Sequence, residues 1–242
     1  MAQNIYDRPD FFAGYSRLDR SVRGLAGAPE WPTLQSMLPD MHGLRVVDLG
    51  CGFGWFCRWA REAGASHVLG LDLSEKMLAR ARAETVDSAV AYATADLEQL
   101  SLPDAEFDLV YSSLAFHYVA DAARLFASIH RALAPGGRLV FSTEHPVYMA
   151  PSKPGWSITG DGRKTWPVDR YFVEGERTTD WLSPGVVKHH RTIGTTLNLL
   201  IAAGFRIDRV LEFCPTPTQI AQAPALAEEI QRPMFLLVAA QR

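Results

Sequence analysis

Short apolar runs recur along this chain, separated by stretches whose apolar positions lie three and four apart. The first pattern predicts buried strands and the second predicts helices. Residues 45–49 are the first such run, and residues 53–63 read as the helix behind it, stopped by Gly64. Residues 67–71 predict a second strand. Ser74 then caps a helix with Glu75 in its first turn, and Met77, Leu78, Ala81 and Arg82 keep helical spacing. Strands three and four are expected at 89–94 and 107–112. Residues 121–133 read as a helix closed by Ala134-Pro135-Gly136-Gly137, with strand five at 138–142. A helix over 192–203, ended by Gly204, precedes two last strands at 205–213 and 234–240. A short helix at 30–38, bounded by Pro32 and Pro39, comes before them all. The alternation predicts an α/β fold with a doubly wound, mostly parallel, seven-stranded sheet.

Two stretches break the alternation. Residues 1–30 scatter Tyr6, Phe11, Phe12 and Tyr15 among Gly and Arg, and read as an N-terminal cover. Residues 146–188 hold Pro146, Pro151, Pro154, Pro167 and Pro184 together with Trp156, Trp166 and Trp181. So long an unpatterned stretch inside a compact domain is functional or disordered, and its aromatic content argues against disorder. It reads as an inserted cap over the substrate site, with a dimer interface or a patch over a sheet edge as the alternative. The length of 242 residues suits a single domain over 1–242 with that insertion.

Composition narrows the class only a little. At 48% hydrophobic and 21% charged, the chain has the make-up of an ordinary soluble globular protein. A formal charge of −3 gives no lead toward nucleic acid. No apolar run approaches the roughly 20 residues that span a bilayer, and residues 1–7 lack the zones of a signal peptide. The cysteines are Cys51, Cys57 and Cys214, an odd number without C-x-x-C spacing. Reduced thiols in a cytoplasm account for them. His189 and His190 are adjacent and no acid–His cluster accompanies them, so no metal is expected.

The chemistry concentrates where the first strand meets its helix. Gly50, Gly52 and Gly54 stand at alternate positions, and glycines there let backbone approach a ligand closely. The helix N-terminus behind them favours an anionic or carboxylate-bearing group. Asp72 ends the second strand, where an acid accepts hydrogen bonds from ribose hydroxyls. The spacing is G-x-G-x-G preceded by Asp48, not the G-x-G-x-x-G/A of dinucleotide folds. That pattern resembles motif I of the class I S-adenosylmethionine-dependent methyltransferases. Ala95-Asp96-Leu97, the run from Phe107 to Tyr118, and Leu133-Ala134-Pro135-Gly136-Gly137-Arg138-Leu139-Val140 resemble that family's later motifs. The likeness covers about residues 45–142. Glu144-His145-Pro146, Lys188-His189-His190-Arg191-Thr192 and Ala203-Gly204-Phe205 resemble its small-molecule group.

The resemblance implies methyl transfer from S-adenosyl-L-methionine to a small organic acceptor through oxygen, nitrogen or carbon. It places Asp48, Gly50, Cys51, Gly52, Asp72, Leu73, Met77, Asp96, Leu97 and Ser112 at the cofactor. Asp96 would accept from the adenine amino group and the Leu97 N–H would address the ring. The cover would close over the methionine end, with Tyr15 lining it and Arg20 pairing with the carboxylate. Ser112-Ser113-Leu114-Ala115 stands where methylases of base amino groups carry Asn/Asp-Pro-Pro-aromatic, which argues against that acceptor. His117 and His145 follow strands four and five and are the candidate bases. Trp166, Tyr171, His190 and Arg191 are the candidate substrate contacts. The expected partner is a small molecule, with no nucleic acid and no membrane, and the protein is a monomer or homodimer. The alternatives are a nicotinamide-dependent oxidoreductase and a non-catalytic S-adenosylmethionine-binding module.

Overall fold

The computed structural model describes residues 3–242. Residues 1 and 2, part of the expected cover, lie outside the described residues. Helices α1 (Pro9–Tyr15), α2 (Asp19–Val22) and α3 (Trp31–Gln35) come first. Strand β1 (Arg45–Leu49) leads to α4 (Trp55–Glu62), and β2 (His67–Asp72) leads to α5 (Glu75–Ala83). Then follow β3 (Val90–Thr94), β4 (Phe107–Ser113), α6 (Ala122–Ala132) and β5 (Leu133–Glu144). The insertion opens with α7 (Pro146–Met149). It continues with two hairpins, β6 (Ser157–Ile158) with β7 (Lys164–Thr165), and β8 (Gly175–Thr179) with β9 (Val186–His190). Helix α8 (Ile193–Ala202), β10 (Arg206–Glu212), α9 (Pro217–Gln222) and β11 (Phe235–Gln241) complete the chain.

Among the described residues seven strands form one sheet in the order β3-β2-β1-β4-β5-β11-β10. All neighbours are parallel except β11, which runs antiparallel to both β5 and β10. This is the doubly wound sheet that the alternation predicts. Side chains alternate between the two faces. Val46, Tyr111, Val140 and Leu237 pack with Trp31, Phe56 and Ala60 of α3 and α4. Val47, Val110, Phe141 and Leu236 pack with Leu125, Ile129 and Leu200 of α6 and α8. Because both faces are covered, the central strands read as continuous apolar runs.

Three details differ from the sequence reading. Strand β5 begins at Leu133, and the expected turn lies inside it as a bulge. Phe107 pairs with Leu133 while Leu109 pairs with Arg138, so residues 134–137 loop out, with Gly136 at φ +79°. Helix α9 and the 3-10 segment Pro224–Ile230 fall where the apolar pattern predicts no element. The N-terminal segment also has a small core of its own. Ile5 and Phe11 are buried with Val186, and Tyr6, Tyr15, Tyr118 and Trp181 pack around them.

The insertion is clasped to the C-terminal segment by the Arg232 guanidinium and by the Lys164–Glu228 ion pair. Arg232 lies 4.6, 5.1 and 4.3 Å from the ring centres of Tyr148, Trp156 and Trp166, and pairs with the buried Glu229. Cation–π contacts of this kind strengthen when water is excluded. Arg232→Ala takes the cation from Tyr148 and Trp166, leaves Trp156 with Lys164 alone, and leaves Glu229 without its ion-pair partner. The expected loss is about 3 kcal/mol in denaturant unfolding, with faster tryptic cleavage at Arg163 and Lys164. Unchanged unfolding and cleavage would show that the clasp is decorative.

Candidate active site

The sheet order reverses between β1 and β4, and ligands gather outside the carboxyl ends of strands at such a point. A cavity of about 550 Å³ opens there. The chain leaving β1 folds back over β2, because the Gly50 and Cys51 N–H groups both donate to the Leu71 carbonyl, at 2.8 and 2.9 Å. Gly50 holds φ +80°, and a Cβ on it would lie 2.5 Å from the Cβ of Ala115. Gly52 is the opposite case: its φ is +52° and the space where a Cβ would project is open. The first glycine allows close packing, and the second keeps a cradle empty beside the cavity.

Asp72 closes this loop. Its Oδ2 accepts the Gly52 N–H at 2.8 Å, and its Oδ1 accepts the Ser74 N–H at 2.9 Å. Burial raises the Asp72 pKa above the usual carboxylate value, while the two backbone N–H groups oppose that shift. Asp96 caps the short 3-10 turn Leu97–Gln99 by accepting the Glu98 N–H at 2.9 Å. Gly50, Gly52, Asp72, Leu73, Met77, Asp96 and Leu97 line one side of the cavity. Tyr15 and Arg20 reach it from the cover, although the Arg20 Nη2 already donates to both oxygens of the buried Glu30, at 2.9 and 3.1 Å.

Three residues expected at the cofactor stand behind the loop and do not line the cavity. Ser112 donates to the Leu49 carbonyl at 2.7 Å and fastens β4 to β1. Cys51 turns its side chain into the core, where burial pushes its thiol pKa well up. Asp48 is fully enclosed and accepts from the Cys57 thiol at 3.5 Å. Burial pushes its pKa up to about 8.

The residues expected at the acceptor divide more sharply. His117 lines the cavity. Burial, reinforced by the charges of Lys188 and Arg191, holds its pKa well below the usual histidine value. The expected base His145 does not line the cavity. It is buried at the start of α7, where Nδ1 accepts the Val147 N–H at 3.1 Å and Nε2 lies 2.8 Å from Glu212. The expected substrate contacts do not line the cavity either. Trp166 and His190 are bound to backbone carbonyls of the insertion, and Arg191 to those of the β4–α6 connection. Trp166 donates to the Val147 carbonyl at 3.0 Å. His190 Nε2 contacts the Tyr171 carbonyl at 2.8 Å. Arg191 donates to the Val119 and Ala120 carbonyls. Each thus supplies a donor to a backbone carbonyl.

The cavity is lined instead by Tyr6, Tyr118, Glu144, Tyr148 and Trp181 beside His117. Glu144 sits at the carboxyl end of β5, a position whose meaning in open sheets was readable in the sequence. The Tyr6 and Tyr118 hydroxyls are 3.2 Å apart. Lys188, almost wholly buried, donates from Nζ to Glu144 Oε1, and His117 Nε2 lies 4.0 Å from that same oxygen.

The family described as "Methyltransferase domain" matches residues 47–141. A solved S-adenosylmethionine-dependent methyltransferase from Mesorhizobium loti is 68% identical, covers 90% of this chain and all of its own, and superposes with a TM-score of 0.88. A solved Listeria monocytogenes protein is 41% identical, with coverage of 89% and 98% and a TM-score of 0.81. A malonyl-[acyl-carrier protein] O-methyltransferase from Erwinia billingiae is 41% identical over 110 residues, 46% of this chain and 43% of its own length. The chain thus spans less than half of that relative. The chain belongs to the class I S-adenosylmethionine-dependent methyltransferases. It is an enzyme of that class, and its cofactor is S-adenosylmethionine. The open cradle at Gly52, with the Asp72 and Asp96 carboxylates facing the same space, fits an adenosyl group. The nicotinamide and non-catalytic alternatives fall with this assignment. Among the described residues no helix is long and apolar enough to cross a membrane.

Asp48 yields a test of the local electrostatics. The unfolded chain ionises it near its ordinary 3.8, whereas the folded chain keeps the proton to about 8. Between those values the folded state holds the extra proton, so stability falls as pH rises, by about 1.4 kcal/mol per unit. Asp48→Asn removes that titration. The variant should match wild type near pH 4 and exceed it in denaturant unfolding at pH 8. Parallel pH profiles for the two proteins would refute the assignment.

Proposed function

We propose that this enzyme methylates a small organic acceptor held between the cofactor crevice and the aromatic side of the cavity. One observation carries the reading: a single space is bounded by Gly52, Asp72 and Asp96 on one side and by His117, Tyr118 and Trp181 on the other. Asp72 would take the ribose hydroxyls, since each carboxylate oxygen keeps a lone pair beyond its backbone N–H. Asp96 and the Leu97 N–H would take the adenine edge. Arg20 and Tyr15 would close the methionine end from the cover. Asp48, Cys51 and Ser112 would hold the loop in shape from behind.

S-adenosylmethionine supplies a methyl group already activated by its sulfonium. The chain's own task is to orient the acceptor in line and to exclude water, and orientation alone contributes on the order of 7–11 kcal/mol in well-aligned reactions. Tyr148 and Trp181 belong to the insertion 146–188 and reach the cavity, which supports the cap reading. Trp166, Tyr171, His190 and Arg191 would serve by holding that cap together. The Erwinia billingiae relative acts on a malonyl group carried by a protein, but the likeness to it stops at 110 residues.

Calorimetry with S-adenosylmethionine should show saturable binding to the wild-type chain. Asp72→Ala should weaken that binding ten- to a hundredfold, about 1.4–2.7 kcal/mol, through the lost ribose acceptor and the freed Gly52 N–H. Undiminished affinity would mean that the ribose lies elsewhere. Labelled methyl groups should pass into a low-molecular-weight extract, read by mass spectrometry. Transfer confined to macromolecules would overturn the small-acceptor reading.

A further inference from the structure

The charges around the cavity are lopsided. Asp19, Asp72, Asp96 and Glu144 line it, and Arg20, tied to Glu30, is the lining cation among the described residues. An anionic acceptor would meet carboxylates and no uncommitted positive charge. Glu144 lines the cavity together with the rings of Tyr6, Tyr118, Tyr148 and Trp181, and its charge acts on the Tyr118 and Tyr148 hydroxyls. A carboxylate framed by aromatic rings is the chemistry that recognises an ammonium group. The chain itself shows the fit: the Lys188 ammonium lies against Glu144 Oε1 and 5.1 Å from the centre of the Trp181 ring.

Glu144 and His117 also differ in what they can accept. The Glu144 backbone N–H donates to His117 Nδ1 at 3.4 Å. A neutral imidazole that accepts at Nδ1 carries its proton on Nε2, and that nitrogen faces Glu144 Oε1. His117 is therefore a donor at the end nearest the carboxylate. Lys188 and His117 both address Oε1, and among the described residues no hydrogen bond reaches Oε2.

We propose that the acceptor is a small primary or secondary amine and that Glu144, through Oε2, removes its proton. The inference rests on the methyl-transfer reading above. An ammonium bound at Glu144 passes one proton to Oε2, which frees the nitrogen lone pair. The nitrogen then forms a bond to the methyl carbon as the carbon–sulfur bond breaks, with that electron pair staying on sulfur. The products are a methylated ammonium and a neutral thioether, and Glu144 returns its proton to solvent. Lys188 fixes the carboxylate by one oxygen and leaves the other for the acceptor.

The test uses the full-length protein, S-adenosylmethionine and a panel of small amines, among them ethanolamine and phenethylamine, beside matched phenols, alcohols and carboxylates. Demethylated cofactor and methylated product are read by mass spectrometry. N-methylation should dominate. Glu144→Gln should lower kcat about a hundredfold or more, the scale of a lost general base, with cofactor affinity by calorimetry unchanged within about twofold. Glu144→Asp should recover part of the rate. Glu144→Gln combined with Lys188→Met removes both charges of the buried pair, so a folded variant is at hand if the single change unfolds the chain; it too should bind cofactor and fail in catalysis. Methylation restricted to oxygen or carbon acceptors would overturn the proposal. So would a double variant that keeps its kcat while His117→Asn loses it. A wild-type chain that binds no cofactor would overturn the methyl-transfer reading itself, whereas binding with oxygen-only products overturns this inference alone.

Discussion

One carboxylate ties the crevice together. Asp72 ends β2, and its two oxygens hold the N–H of Gly52 on one side and of Ser74 on the other. The first contact fixes a loop whose glycines all hold positive φ, a conformation that nothing in the local backbone favours over its alternatives. The second sets the start of α5. The next residue pair extends the chain of contacts outward: the Ser74 hydroxyl donates to Asp7, which also accepts the Lys76 N–H. The N-terminal cover is thereby keyed to the same helix start that the cofactor crevice uses. Burying Asp72 is costly, and these backbone hydrogen bonds are what offset the cost.

The cavity has two sides with different mechanical origins. The cofactor side is made of strand ends and the turns that leave them, backed by fully buried strands. The other side, proposed for the acceptor, is assembled from four pieces: the cover, the turn after β4 that carries His117 and Tyr118, the end of β5 and the insertion. Tyr6, Phe11, Tyr15 and Trp181 join the cover to the insertion edge-on, with ring centres 4.7–6.3 Å apart. Arg232 joins the insertion to the C-terminal segment. Aromatic contacts of this kind are large in area and tolerant in angle, and they let segments without regular structure hold a shaped wall.

That difference explains what the sequence disclosed. The sheet was legible because each central strand is buried on both faces and each helix keeps an apolar stripe. That Gly50, Gly52, Asp72 and Asp96 would line one crevice was legible because they sit at fixed distances from strand ends. The opposite wall, His117 apart, was not, because its residues meet only in the folded chain. Two errors share one physical cause. At the end of β4 the sequence pointed to Ser112, yet Ser113 lines the cavity and Ser112 binds a carbonyl. At the end of β5 it pointed to His145, yet Glu144 lines the cavity and His145 caps a helix. Side chains alternate along a strand, so a shift of one position exchanges the wall for the scaffold. His190 and Arg191 misled for another reason. Irregular segments have many carbonyls to satisfy, and His190 is spent on one in the insertion and Arg191 on two in the β4–α6 connection.

The boundary of the shared family region bears on how acceptor choice arises. That region, residues 47–141, contains the glycine loop, Asp72, Asp96 and His117. It stops three residues before Glu144, as 144 − 141 gives, and it excludes Tyr6, Tyr148 and Trp181. On the reading proposed above, the residues that would meet the cofactor lie within this region except Tyr15 and Arg20, and those that would meet the acceptor lie outside it except His117 and Tyr118. A buried charge pair such as Lys188–Glu144 stabilises a fold poorly when compared with apolar packing of equal volume. Its place at the junction of the common domain and the insertion is better explained by what it presents to the cavity than by what it adds to stability.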